Sequence, residues 1–212
     1  MKIARTLAAT AAAGLLLAAI PTAAHADDDV NRTGNYTVRA GQTIDGDLTV
    51  RNGTVRVHGE VKGDVRQIGK GSVIVARTGD VDGNIRESGS GSVHVYGEVD
   101  GNVVEKGAGH VRVRSTGSVD GNITEYKSGN VRVDRGGEVD GNIAERSSGT
   151  VRVRGSVDGN VAETGAGHVY LYRSAEVDGN VTERKAGNLY VYRGAEVEGS
   201  ISESGKGSRI NR

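Results

Sequence analysis

The stretch 119-VDGNITEYKSGNVRV-133 contains the unit from which the rest of the chain is built. It opens with a valine, an aspartate, a glycine and an asparagine, and it ends with an alternating strand in which Val131 and Val133 flank an arginine. The tetrapeptide VDGN begins at Val81, Val99, Val119, Val139, Val157 and Val177, and degenerate copies begin at Ile44, Val61 and Val197. Successive copies lie 17 to 20 residues apart. This spacing identifies an internal repeat.

A second element keeps the same spacing. A glycine stands two residues before each alternating strand, at Gly53, Gly71, Gly91, Gly109, Gly129, Gly149, Gly167 and Gly187. Alternating valine and arginine predict half-buried strands with the valines inward, and the joints rich in glycine and asparagine predict turns. Repeats of 18 and 20 residues differ in the connection after this strand, which is short at residues 96–98 and longer at residues 114–118. We therefore expect the insertions at one corner of each coil.

The repeat predicts an all-β, single-stranded β-solenoid of about nine coils of 18–20 residues. One unit cannot bury its apolar face alone, whereas stacking pairs every strand with its equivalent in the next unit and joins the valines into one core. Nine coils at the strand spacing of about 4.8 Å give a rod roughly 43 Å long. We expect this domain at residues 36–212, after a short lead-in at residues 27–35. No helical period occurs in this region.

The N-terminal 26 residues have the features of a secretory signal peptide. Lys2 and Arg5 precede an apolar stretch at residues 7–20, and Ala24 and Ala26 form a small-residue cleavage site. Its removal would leave 27 acidic residues against 25 basic ones, so nucleic acid is not an expected partner. No later segment is apolar enough to span a membrane. The sequence predicts a secreted, extracellular protein, and association with the cell wall is one form of this hypothesis. The chain has no cysteine, so it cannot form disulfides.

In a solenoid each repeat position becomes a column. One acidic column contains Asp82, Asp100, Asp120, Asp140, Asp158 and Asp178, and a second runs from Glu87 to Glu203. Calcium, which prefers oxygen ligands, could neutralise the aspartate column. The alternative is a solvated ladder of turn residues, with Lys106, Arg146 and Arg184 as counter-ions of the glutamates. The asparagine of each VDGN is expected to close its turn through side-chain to backbone bonds.

The outward positions of the alternating strands form a candidate binding face composed of Arg112, Arg132, Arg152, Tyr170, Tyr172, Tyr190 and Tyr192. Arginine and tyrosine favour interfaces, so this face could bind a cell-wall glycan or another anionic polymer. The competing interpretation is that these residues only stabilise cross-strand pairs on exposed strands.

The sequence contains no recognisable catalytic site or cofactor motif. The histidines at positions 110 and 168 alternate along one column with serine, asparagine and threonine, which is typical of turn residues rather than of a catalytic base. Glycine pairs such as Gly107 and Gly109 precede strands and not helices, unlike phosphate-binding loops. We therefore predict a non-enzymatic protein without a cofactor.

The repeated V-D-G-N-[IV] segment, followed by a glycine turn and a V-x-V strand, resembles the bactofilins over about residues 44–201. The resemblance implies a right-handed β-helix that polymerises head to tail through its open ends without nucleotide. Most bactofilins are cytoplasmic or membrane-associated, so this chain would be an exported variant. From the sequence we expect a rigid structural or surface protein that assembles end to end.

Overall fold

We describe the fold from a computed structural model that describes residues 29–212. The predicted signal peptide at residues 1–26 lies outside the described residues. Every coil except the last contributes one short strand to each of three parallel sheets, which we call A, B and C, and the last coil contributes only to A and B. The described residues contain strands and turns but no helix, so none of their segments is a helix that could cross a membrane.

Sheet A contains ten strands, with bounds β1 (Val30–Thr33), β4 (Leu48–Arg51), β7 (Val65–Gly69), β10 (Ile85–Gly89), β13 (Val103–Glu105), β16 (Ile123–Glu125), β19 (Ile143–Glu145), β22 (Val161–Glu163), β25 (Val181–Lys185) and β28 (Ile201–Gly205). Sheet B also contains ten, with bounds β2 (Tyr36–Val38), β5 (Val55–Val57), β8 (Val73–Val75), β11 (Val93–Val95), β14 (Val111–Val113), β17 (Val131–Val133), β20 (Val151–Val153), β23 (Val169–Leu171), β26 (Leu189–Val191) and β29 (Arg209–Asn211). Sheet C contains nine two-residue strands, with bounds β3 (Thr43–Ile44), β6 (Glu60–Val61), β9 (Asp80–Val81), β12 (Glu98–Val99), β15 (Ser118–Val119), β18 (Glu138–Val139), β21 (Ser156–Val157), β24 (Glu176–Val177) and β27 (Glu196–Val197).

The strands are stacked in register, as the repeat predicts. Val111 pairs with Val131, which pairs with Val151, and all three side chains are fully buried. Parallel pairing of this kind repeats between every pair of neighbouring coils in all three sheets. The buried aliphatic side chains form one continuous core along the rod. The prediction of an all-β solenoid of about nine coils is confirmed.

The corners of the coil explain the repeat pattern. Each VDGN segment is the corner from sheet C to sheet A, because sheet C ends at its valine and sheet A begins after its asparagine. The 20-residue coils add a turn between sheets B and C, in which the N–H of Gly117 donates to the carbonyl of Arg114 at 2.9 Å. The two-residue insertions of the 20-residue coils therefore lie at this corner, as predicted, whereas the 17-residue step near the N-terminal end is one residue shorter between β4 and β5.

The solenoid begins earlier than residue 36. Strand β1 (Val30–Thr33), within the predicted lead-in at residues 27–35, already pairs with β4 (Leu48–Arg51). Its Val30 is partly buried against the core. The N-terminal coil therefore includes a strand that lies before the first recognisable VDGN copy.

Candidate functional surfaces and the interior glutamate column

The predicted arginine and tyrosine face lies on the outside of sheet B. The rings of Tyr170 and Tyr190 stack with centroids 4.5 Å apart and planes 5° apart, and those of Tyr172 and Tyr192 stack at 5.2 Å and 15°. The structure thus brings the four tyrosines into two parallel stacks. Because ring faces within each stack cover one another, mainly ring edges and hydroxyls are left open to a ligand.

The arginines of this face interact with the rings and with one acid. The guanidinium of Arg152 lies 5.6 Å from the centre of the Tyr170 ring. Arg112 and Arg132 form ion pairs with Asp134 at 2.8 Å and 2.5 Å. Burial alone would raise the pKa of Asp134, but the hydrogen bonds from the two arginines outweigh burial and lower it. Asp134 therefore neutralises part of the basic face.

A shallow pocket of about 230 Å³ lies beside these arginines. It is lined by His94, His110, Val111, Arg112, Asn130, Arg132 and Arg152. Partial burial lowers the pKa of His94, and the charges of Arg114 and Arg112 lower it further. The three guanidinium groups beside the neutral imidazole make this pocket cationic, which suits an anionic ligand.

The turn histidines have a structural role. The N–H of Asn130 donates to Nδ1 of His110 at 2.9 Å, and the N–H of Asn188 donates to Nδ1 of His168 at 2.8 Å. In other coils a serine, threonine or asparagine oxygen accepts the equivalent bond, for example Asn130 from Thr150. Each histidine is therefore interchangeable with small polar acceptors that link neighbouring coils.

The aspartate column lies on an exposed corner next to sheet C. Partial burial raises the pKa of Asp140, and the like charges of Asp120 and Asp158 raise it further. At one end of the column Lys62 forms an ion pair with Asp45 at 2.5 Å. Within residues 29–212 no three acidic or histidine side chains converge as a metal site. Calcium binding by this column stays a prediction.

The asparagines of the VDGN segments form a ladder between coils. The Oδ1 atom of Asn142 accepts bonds from the backbone N–H and the side-chain Nδ2 of Asn160, at 2.9 Å and 2.8 Å. Its own Nδ2 donates to Asn122 at 2.8 Å. The predicted side-chain to backbone bonds thus exist, but they reach the next coil instead of closing the residue's own turn.

The glutamate column lies inside the solenoid, so the expectation of a solvated ladder is wrong for these residues. Six glutamates are completely buried, namely Glu87, Glu105, Glu125, Glu145, Glu163 and Glu183. They occupy inward positions of sheet A, two residues after a core aliphatic residue, and they are paired in register. Lys106, Arg146 and Arg184 follow them on the exposed side of the strand. The predicted counter-ions therefore point away from the carboxylates.

Each interior glutamate fixes the corner between sheets A and B. Oε1 of Glu145 accepts the backbone N–H groups of Ser147 and Gly149, both at 3.0 Å. Oε1 of Glu163 does the same with Gly165 and Gly167. The glycines are required here because a Cβ on Gly149 would overlap the carbonyl oxygen of Gly129 in the preceding coil.

Burial changes the acidity of this column. The pKa of Glu145 is raised to about 9, mainly by burial and in addition by hydrogen bonds with Glu163 and Glu125. Burial, followed by a hydrogen bond with a neighbouring glutamate, raises the pKa values of Glu105 and Glu183 to about 7. These carboxyls therefore keep protons at a pH where exposed glutamates are ionised.

Within residues 29–212, both ends of the solenoid present strands with a free edge. Among these residues β1, β2 and β3 at one end have a neighbour on one side only, and at the other end the same holds for β27, β28 and β29. Val30 and Tyr36 at the first end and Val197 and Ile201 at the second are only partly buried. Unpaired strand edges with apolar side chains are templates for another chain.

Comparison with known proteins agrees with this architecture. Residues 36–129 and 109–202 each match the family model Bactofilin, which is described as polymer-forming cytoskeletal. With stacked coils and free edges, the chain is of the class of polymer-forming β-solenoids. It belongs to the bactofilin family, since the two matches together cover most of the chain. Comparisons with curated proteins and with solved structures gave no significant match.

Proposed function

We propose that this chain is an exported structural protein that assembles end to end into a rigid filament. The observation that carries the proposal is the pair of free edges at the two ends of sheets A and B, which continue the same parallel register. Membership of a polymer-forming family supports it. The filament would need no catalytic site or nucleotide, because strand pairing and apolar contact supply the attraction.

The residues at the two ends are complementary for head-to-tail stacking. Arg32 and Glu203 belong to the same column, at opposite ends of sheet A. Tyr36 and Arg209 likewise belong to one column of sheet B. A second copy stacked in step would bring Arg32 next to Glu203 and Tyr36 next to Arg209. An ion pair and a cation–π contact would then accompany the strand pairing.

Assembly is tested by sedimentation and negative-stain imaging of the purified protein over a wide concentration range. We expect filaments, and monomers at every concentration would refute the proposal. Arg32→Glu or Glu203→Arg alone should weaken assembly, because each creates a like-charged junction. The Arg32→Glu/Glu203→Arg double variant should restore it. Failure of this rescue, with filaments still formed by the unmodified protein, would reject the head-to-tail contact only.

Cysteine cross-linking measures filament polarity directly, since the natural chain has no cysteine. Asn31 and Ser202 occupy the same outward column at opposite ends of sheet A. Head-to-tail stacking would bring their Cα atoms to about 4.8 Å, within the range of a disulfide. A mixture of Asn31→Cys and Ser202→Cys proteins should give mixed dimers upon oxidation. Dimers of each variant with itself would instead indicate head-to-head and tail-to-tail contacts.

Export is supported by the signal-like segment at residues 1–26. Fractionation of cells that produce the protein, followed by N-terminal sequencing, tests this part of the proposal. We expect the protein outside the cytoplasm with Asp27 as its first residue. Uncleaved protein confined to the cytoplasm would refute export without affecting the filament.

Binding of an anionic wall polymer is a second candidate function, favoured by the basic pocket on sheet B. Replacing Arg112, Arg132 and Arg152 by glutamine should reduce retention on purified cell walls, and so should replacing the four tyrosines by serine. A matched control replaces Arg86, Arg135 and Arg184, which are exposed elsewhere. Equal retention of all variants would reject this function.

A further inference from the structure

We propose that the glutamate column is a proton-binding site, in which neighbouring buried carboxyls of the folded chain are joined by shared protons. The ligand is the hydrogen ion itself. The site extends along the axis of sheet A and involves Glu87, Glu105, Glu125, Glu145, Glu163 and Glu183.

The first argument is the absence of a buried counter-ion. In the part of the chain that the structure describes, the only buried polar or charged side chains are these six glutamates and Gln67. The remaining interior side chains, from sheets B and C as well as A, are aliphatic. Six stacked carboxylates in such an interior would repel one another with little screening. Neutralisation must therefore come from a small ligand.

The second argument is the pattern of hydrogen bonds. One oxygen of each carboxyl is occupied by the backbone N–H groups of its own corner. The other oxygen, Oε2, is buried without a protein donor in Glu105, Glu125, Glu145, Glu163 and Glu183. Neighbouring glutamates pair in register on adjacent strands, which stacks their buried carboxyls at the strand spacing of about 4.8 Å. Two carboxyl oxygens form a hydrogen bond only if one of them is protonated, so a shared proton is the ligand that satisfies these oxygens.

The acidity of the column agrees with alternate protonation. The glutamates with a pKa of about 7 or about 9 are Glu105, Glu145 and Glu183, and they alternate with the others along the column. A proton on each of these three allows it to donate to an adjacent carboxylate. The charged groups that act on them are other glutamates of the column. The cations of the adjoining corners, Lys106, Lys127, Arg146, Arg184 and Lys185, are exposed.

Proton binding makes folding pH-dependent in a defined direction. The pKa values of these carboxyls are higher in the folded chain than the ordinary value of 4.5. Their contribution to stability is therefore complete below about pH 4.5 and is lost as the pH rises through the folded values of about 7 and about 9. An acid paired with cations, such as Asp134 with Arg112 and Arg132, has a lowered pKa and produces the opposite dependence.

The test combines infrared spectroscopy with denaturation. In the purified protein at pH 7, we expect an absorption band of protonated carboxylic acid that disappears on unfolding. The denaturant midpoint should fall progressively from pH 5 to pH 9. The Glu105→Gln/Glu145→Gln/Glu183→Gln variant should lose both the band and most of the pH dependence, because an amide donates as the protonated carboxyl does. A matched control replaces exposed Glu138 and Glu176 by glutamine and should behave as the unmodified protein does.

Other outcomes would overturn the proposal. A midpoint that is constant or rises between pH 5 and 9, together with no acid band in the folded protein, would exclude stored protons. If a chelator lowered the midpoint and an added divalent cation restored it, the column would bind metal instead. The infrared measurement on the unmodified protein keeps the proposal testable even if the triple variant does not fold. Neither measurement depends on filament formation.

Discussion

Asn142 provides a direct test of the ladder between coils. Replacement by alanine removes three hydrogen bonds, two that Asn142 accepts from Asn160 and one that it donates to Asn122. A hydrogen bond contributes a net of roughly 0.5–1.5 kcal/mol, and these lie at an exposed corner, so we take the lower part of this range for each. The expected loss is about 2 kcal/mol, or about 4–8 °C in Tm for a domain of this size.

Asn142→Asp separates the contribution of the two accepted hydrogen bonds from that of the donated one. The carboxylate keeps the acceptor that binds Asn160 but loses the donor to Asn122, so we expect a loss of about 1 kcal/mol. Asp64 accepts equivalent bonds from Asn84 at 2.9 Å and 3.0 Å, which shows that a carboxylate fits this position. Thr124→Ala, on the same face outside the ladder, should change stability by less than about 0.5 kcal/mol.

The assay is guanidinium denaturation of the purified protein, followed by circular dichroism, with all variants measured in parallel. The alanine variant should show the lowest midpoint and the aspartate variant an intermediate one. If Asn142→Ala were as stable as the unmodified protein, the side-chain hydrogen bonds of the asparagine ladder would contribute nothing to stability. The stabilising role of the ladder would then be refuted. Equal losses for alanine and aspartate would instead assign the whole effect to the donor group.

Three further changes have defined outcomes. Gly149→Ala should lower stability by about 3 kcal/mol or more, or prevent soluble expression, because its Cβ would overlap the preceding coil, whereas Ser148→Ala should express normally. Ile143→Ala should lower the free energy of unfolding by about 2–5 kcal/mol in the same assay, since the side chain is fully buried, and a smaller loss would indicate a loosely packed core. Asp134→Asn should remove about 0.5–1 kcal/mol at pH 7 but little near pH 2. The lowered pKa of Asp134 means that its contribution exists above the ordinary value and is lost as the pH falls, and an effect independent of pH would contradict this.

The architecture could be predicted from the sequence because two regularities act together. Alternation in strands such as Val131–Val133 sets which side chains point inward, and the constant spacing of the VDGN segments sets which residues lie above one another. Together they determine the columns. The columns named from the repeat, including the stacked tyrosines, have neighbours in the structure for this reason.

The burial of the glutamates was missed because charged side chains are rarely found in a protein interior. The signal was present, since Ile123 and Glu125 are two residues apart in a strand and must share a face. Strand alternation outweighs polarity here, because the carboxyl of Glu125 finds two backbone N–H donors at its corner and every other buried glutamate finds at least one. The prediction that this column is exposed to solvent was wrong because it relied on the polarity of glutamate alone.

The asparagine ladder illustrates a different limit of sequence reasoning. An asparagine side chain can reach a backbone N–H in its own turn or in the neighbouring coil, and both options fit the same tetrapeptide. Only the corner geometry brings Asn160 within reach of Asn142 and decides between them. The mutual stacking of Tyr170 and Tyr190 was likewise decided by side-chain rotamers, which no repeat pattern specifies.

The direction of the strand pairing has a mechanical consequence. All three sheets join each coil to the next through backbone bonds that run along the length of the rod. A force that pulls the two chain termini apart would load these bonds one coil at a time, so the coils would detach sequentially from an end. Each step would release a loop of 18–20 residues, about 60–70 Å of extended polypeptide. Stretching should therefore increase the extension of the chain in a series of regular steps instead of in a single unfolding event.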